Sequence, residues 1–163
     1  MKTSTLLCVA LAAGLAGGCS KTKPGAPAKE AVHRHEHKAP HGGAPVELGE
    51  EEYHVEFVLD APEGKLQAFV MDRELENFVR INAPVVEITA QVSGQREKLR
   101  LQPVANNATG EKVGDTSQFE ARADWLKATS RFDAVLKEIT VHGKTFTNIL
   151  FNFPKGNDVK SKQ

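Results

Sequence analysis

The segment YHVEFVLD sets the strongest limit on what this chain can fold into. Tyr53, Val55, Phe57 and Leu59 alternate with His54, Glu56 and Asp60. A period of two sends those sets to opposite faces of an extended strand, so one face must be covered and the other meets solvent. The alternation recurs. In VVEITAQV, Val86, Ile88, Ala90 and Val92 share a face, and in EKLRLQPV, Leu99 and Leu101 alternate with Lys98 and Arg100. APEG reads as a turn leading into a second strand, KLQAFVMD, and FVRI reads as a short strand or strand edge. Ser93-Gly94 and His142-Gly143 are turn signals. The second of these joins AVLKEITV, with Val135, Lys137, Ile139 and Val141 on alternate positions, to KTFTNILFNF. In that last arm Thr145, Thr147, Ile149, Phe151 and Phe153 share one parity, while Phe146 and Leu150 take the other, so part of the second face must also be covered. QFEARA is a brief strand, and Asp124 can cap one helical turn through Trp125 and Lys127, with Trp125, Leu126 and Phe132 plugging one end. About eight short strands with turns at roughly ten-residue spacing predict an all-β, immunoglobulin-like antiparallel β-sandwich with at most one short helix.

The N-terminal third reads differently. Met1-Lys2 is basic, an apolar run follows to Leu15, and AGGC ends at Cys19. The pattern is that of a secretory signal, too short to span a bilayer. The small residues before Cys19 also resemble the lipobox of bacterial lipoproteins. That resemblance implies cleavage of residues 1–18, lipidation of Cys19 and, with Ser20 next, sorting to the outer membrane facing the periplasm. With Cys8 removed and Cys19 acylated, no thiol remains for a disulfide, a thiolate metal site or a nucleophile. Residues 19–45 are rich in Lys, Pro, Gly, Ala and His and predict a flexible tether. Residues 46–154 form the expected sandwich, and 155–163 a polar, frayed tail. Lys+Arg and Asp+Glu balance at 21 each, so no broad positive field invites nucleic acid.

The tether concentrates one chemistry. AVHRHEHKAPHGG places His33, His35, His37 and His41 within nine residues, four of the six histidines in the chain. Neutral imidazole suits Zn2+, Cu2+ and Ni2+, and His-rich tracts are a compositional sign of metal binding. In an extended chain His33, His35 and His37 line one edge; a bend at Pro40 brings His41 round, and Glu36 can add a carboxylate. Copper(I) would want soft sulfur, of which the mature chain offers Met71 and an acylated Cys19. A site on so mobile a segment predicts weak, exchangeable binding that fades as imidazoles protonate near pH ~6.5. The plainer alternative is a solvated linker with incidental histidines.

HGG at 41–43, followed by LGEEEYHVEFVLD, resembles small β-sandwich modules beside bacterial heavy-metal efflux adaptors. These and the later stretch TGEKVGDTSQFEARADWLKATSRFDAVLKEITVHGKTFTNILFNFPKGN also resemble uncharacterised exported lipoproteins of planctomycete and verrucomicrobial type. The resemblance implies a sandwich and periplasmic metal handling, assigns no active site, and carries over His41 and His54 as candidate ligands. Without it, Gly42-Gly43 is a flexible entry to the first strand, and His54 is a solvent-facing strand residue. His142, before a hairpin glycine, and Asp72, closing a strand, read as structural.

Catalytic signatures are missing. GEKVGDTS lacks the Gly-Lys-Ser/Thr ending of a phosphate loop, there is no G-x-S-x-G, and Glu50-Glu51-Glu52 reads as a solvated turn. Asn107-Ala108-Thr109 matches a glycosylation triplet that a bacterial lipobox makes incidental. The expectation is a non-catalytic, lipid-anchored envelope protein that binds divalent transition metal, with no organic cofactor and an efflux or other envelope protein as partner. The alternative is an envelope interaction module that binds through a sheet edge or the long loop of residues 104–117.

Overall fold

The computed structural model describes residues 38–157. The expected signal segment, Cys19 as the expected lipidation site, His33, His35, His37 and most of the tail lie outside the described residues. Eight strands form: β1 (Ala44–Leu48), β2 (Tyr53–Asp60), β3 (Lys65–Met71), β4 (Val86–Val92), β5 (Gln95–Pro103), β6 (Gln118–Arg122), β7 (Phe132–Val141) and β8 (Lys144–Phe153). A single 3-10 turn at Asp124–Lys127 is the helical element expected there, although Asp124 makes no side-chain cap.

The strands form one antiparallel sheet in the order β1-β2-β3-β6-β5-β4-β7-β8, nearly closed as a barrel. The all-β antiparallel expectation holds, but an immunoglobulin-like pair of stacked sheets is not confirmed by this continuous order. Placing β6 beside β3 and β7 beside β4 gives Greek-key connections. At the seam, the Asn157 side chain imitates a strand: its Oδ1 accepts from the Glu47 N–H at 2.7 Å and its Nδ2 donates to the Glu47 carbonyl at 2.9 Å.

The inward residues follow the alternation. Ala44, Val46, Leu48, Val55, Phe57, Leu66, Ala68, Val70, Val86, Ile88, Ala90, Leu99, Leu101 and Phe119 are buried in one core, with Phe57 stacked on Phe151. Leu126 is also buried, and Trp125 meets Phe132 edge-on, as expected of an end plug. The hairpin turns are Ser93-Gly94 and His142-Gly143, with φ of 50° and 83° and of 47° and 83°. Positive φ at both positions gives the type I′ twist that matches the flanking strands.

One expectation fails on parity. The inward residues of β7 are Phe132, Ala134 and Leu136, then Ile139 and Val141; Val135 and Lys137 are not among them. β8 switches at the same level, from Phe146 to Phe151 and Phe153. The switch sits at Asn148, whose φ of 54° is the left-handed conformation that Asn tolerates better than most side chains. Leu136 pairs with Ile149 and Glu138 with Thr147, while the intervening Lys137 and Asn148 are unpaired. The switch buries Phe146 but leaves Leu150 71% exposed.

Candidate functional site

β2 and β3 are covered on their outer face as well as their inner one. His54, Glu56 and Met71 point away from the core yet are buried, with Glu56 at 0% exposure. After β3 the chain doubles back: Asp72 N–H donates to the Asn77 carbonyl, and Phe78 bridges to Met71. That return buries Leu75 and sets Phe78 beside the Phe69 ring, centroids 6.0 Å apart. The expectation that His54 and Glu56 face solvent is therefore corrected. Strand alternation reports one covered face and is blind to a loop that covers the other. The signal that could have found it was Leu75 and Phe78, which bring apolar side chains into the polar run RELEN and its edge.

Residues 39–43 seal the rest of that outer layer. Gly42 N–H donates to the Ala39 carbonyl at 3.1 Å, closing the bend expected at Pro40. The bend aims two amides and one ring at a single carboxylate. The N–H groups of His41 and Gly43 each donate to Glu56 Oε1 at 2.9 Å, and His41 Nδ1 lies 2.7 Å from Glu56 Oε2. Three donors compensate a carboxylate that would otherwise be costly to bury. The imidazole stacks on Phe69 with centroids 4.3 Å apart and planes 15° apart, while Phe78 tilts against it at 5.9 Å.

Gly43 is required by contact, not by flexibility. A Cβ there would fall 2.2 Å from the Phe57 carbonyl oxygen. The HGG stretch is thus a close-fitting clamp on β2, which corrects its reading as a flexible strand entry.

No family model matches the chain, and no curated protein or solved structure does.

Chemically, the clamp presents one well-held imidazole. With Nδ1 given to Glu56, the remaining nitrogen of His41 is Nε2, on a side chain that is 36% exposed. A histidine whose second nitrogen is held by a carboxylate has the usual outer support of a metal ligand. His54 behaves differently: it is buried, and its Nδ1 lies 3.2 Å from the Asp72 carbonyl oxygen, an acceptor that assigns the proton to Nδ1. Among the described residues no three His, Cys, Asp or Glu side chains converge as a metal-holding group, so His41 and His54 are not brought together in one. His142 sits at its hairpin tip with Nδ1 3.3 Å from the Tyr53 hydroxyl.

Two other carboxylates organise loops. Asp72 accepts from the N–H groups of Glu76 and Asn77 and from Asn77 Nδ2. Burial alone would raise its carboxyl, but the Asn77 side chain and the backbone donors hold it below the ordinary range. Glu111 supports the loop between β5 and β6. Its Oε1 accepts from Ser117 N–H at 2.8 Å and Ser117 Oγ at 2.6 Å, and its Oε2 from Thr109 Oγ1 at 2.7 Å. There too burial pushes upward and is outweighed, first by the Ser117 and Thr109 hydroxyls, then by the Ser117 amide and Arg80. Arg80 also reaches Asp115 and the Thr109 carbonyl. The loop is therefore stiff, and it presents Val113, 68% exposed, near its tip.

Proposed function

We propose that this is a lipid-anchored protein of the bacterial cell envelope that captures divalent transition metal through His33, His35, His37 and His41. One observation carries the reading: the last histidine of the cluster is fixed to the barrel wall with its ring partly open to solvent. Any imidazole that is not already held in place must lose conformational freedom to become a ligand. A tract that ends on an already ordered ligand loses less. His41 fits that role by its donor chemistry, and Zn2+, Cu2+ or Ni2+ would bind there through neutral imidazole nitrogen. The protein is non-catalytic in this reading and acts as a capture or buffering device beside an envelope partner such as an efflux assembly.

Calorimetric titration of the soluble chain from Ser20 onward with Zn2+ and Cu2+ tests it. The expected result is exchangeable binding whose heat is largely lost when His33, His35 and His37 become Ala. Equal heats from both forms, or none from either, would overturn the reading.

The stiff β5–β6 loop favours a second reading, an interaction module with Val113 as its contact. It would gain ground if metal gave no heat and Val113→Asp abolished crosslinking of that loop to an envelope protein in the native membrane.

A further inference from the structure

We propose that Glu56 is a positioning residue: it commits Nδ1 of His41 to hydrogen bonding, so that Nε2 alone is offered to a divalent cation, and a cation bound there tightens the clamp of residues 41–43. The inference rests on His41 being a ligand of the metal site proposed above.

Four observations converge on it. The first is that Nδ1 meets a carboxylate acceptor at 2.7 Å, which places a proton on Nδ1, so that in the neutral imidazole the lone pair is on Nε2. The carboxylate also cannot swing away, because its other oxygen is held by the amides of His41 and Gly43. Ring rotation is resisted by the near-parallel stack on Phe69. Finally, Glu56 is completely buried, and a buried carboxylate contributes little to stability unless every donor around it is well placed. Here its three donors, the His41 and Gly43 amides and the His41 ring, all belong to the HGG stretch.

The coupling follows from the electronics of imidazole. A cation on Nε2 withdraws electron density and makes the Nδ1–H a stronger donor toward Glu56. The bond that holds the clamp shut then strengthens when metal binds. Linkage requires the reverse as well: a closed clamp raises the affinity of Nε2 for the cation. Metal and outer-layer closure are thus two halves of one equilibrium.

The test uses the soluble chain from Ser20 onward at pH 8, with Zn2+ as the probe and long-range 15N NMR of the histidine rings as the readout. Without zinc, His41 should carry its proton on Nδ1; on adding zinc, the Nε2 resonance should move. Exchange of the His41 and Gly43 amides should slow about tenfold, the scale of an ordinary coupling between sites. Glu56→Gln should weaken zinc binding about ten- to a hundredfold and release the tautomer preference, neither of which a purely structural Glu56 would explain. A proton found on Nε2 in the wild type, or zinc acting at Nδ1, overturns the positioning role. Zinc at Nε2 with unchanged amide exchange overturns the coupling while metal capture stands. Zinc that moves no histidine resonance removes the functional reading and this inference together. If Glu56→Gln does not fold, the wild-type spectra decide.

Discussion

Replacing His41 tests whether the HGG stretch belongs to the fold. His41→Phe keeps a ring over Phe69 but removes the donor to Glu56 Oε2, whereas His41→Ala removes both. A hydrogen bond to a charged group contributes about 1.5–3 kcal/mol. The low end applies here, because the imidazole is 36% exposed and water can enter once it is gone. An aromatic pair adds about 0.5–1.5 kcal/mol beyond area burial. His41→Phe should therefore cost about 1.5–2 kcal/mol and His41→Ala about 2–3.5 kcal/mol. Urea unfolding can be followed through Trp125, the single tryptophan, which packs edge-on against Phe132. With a denaturant slope of about 1.5 kcal/mol/M, the midpoints should fall by roughly 1 M and 2 M. A double-mutant cycle with Glu56→Gln should return a coupling of about 1–2 kcal/mol for the ring and its carboxylate. Both variants within about 0.5 kcal/mol of wild type, as for an ordinary surface site, would refute the clamp.

Glu111→Gln should destabilise by about 1–3 kcal/mol at pH 7, since it weakens a carboxylate held by Ser117 and Thr109. Because the folded-state carboxyl lies below its ordinary value, the stability it contributes is present above the unfolded pKa and is lost as pH falls through the folded one. The wild-type advantage should therefore shrink below pH ~4.5, and an advantage that grew with acid would contradict the argument. At Asn148, with φ of 54°, Val should cost about 1–2 kcal/mol and Gly should be neutral or stabilising; equal effects on thermal unfolding would show that no parity switch is held there. Asn157→Ala should expose the Glu47 amide and carbonyl at the barrel seam and speed exchange of that amide, and unchanged exchange would mean the seam is closed by other contacts.

Much of the barrel was legible because strand period and turn chemistry are local. Val86, Ile88 and Ala90 point inward as their spacing requires, and both X-Gly dipeptides make the hairpins they signal. Closure into one sheet was not legible, since it depends on β3 meeting β6 and β4 meeting β7 across long separations. The parity switch was half visible. Phe146 and Phe151 demanded opposite phases of one strand, and only Asn148 in the left-handed region reconciles them. The candidate site divides in the same way. His41 and the bend at Pro40 could be read from the sequence, because histidine and proline each carry a local meaning. Glu56 could not, because its burial depends on the 72–78 return and on an HGG stretch fifteen residues upstream.

That division bears on how His41 and His54 differ. His54 and Glu56 lie two residues apart on the same outer face of β2, so strand geometry alone treats them alike. What separates them is the partner each finds. His54 reaches a backbone carbonyl in a buried pocket, which fixes a ring without opening it to solvent. Glu56 instead gathers the amides and ring of a segment that comes directly from the histidine-rich stretch, and it leaves the edge of that ring partly in water. Interior packing needs no such arrangement, since an apolar side chain at position 56 would be simpler to bury. A buried carboxylate becomes worth keeping when an exposed imidazole must be held in one orientation. On this reasoning the barrel is more than a passive body, because its wall would supply the fixed end of the proposed metal site.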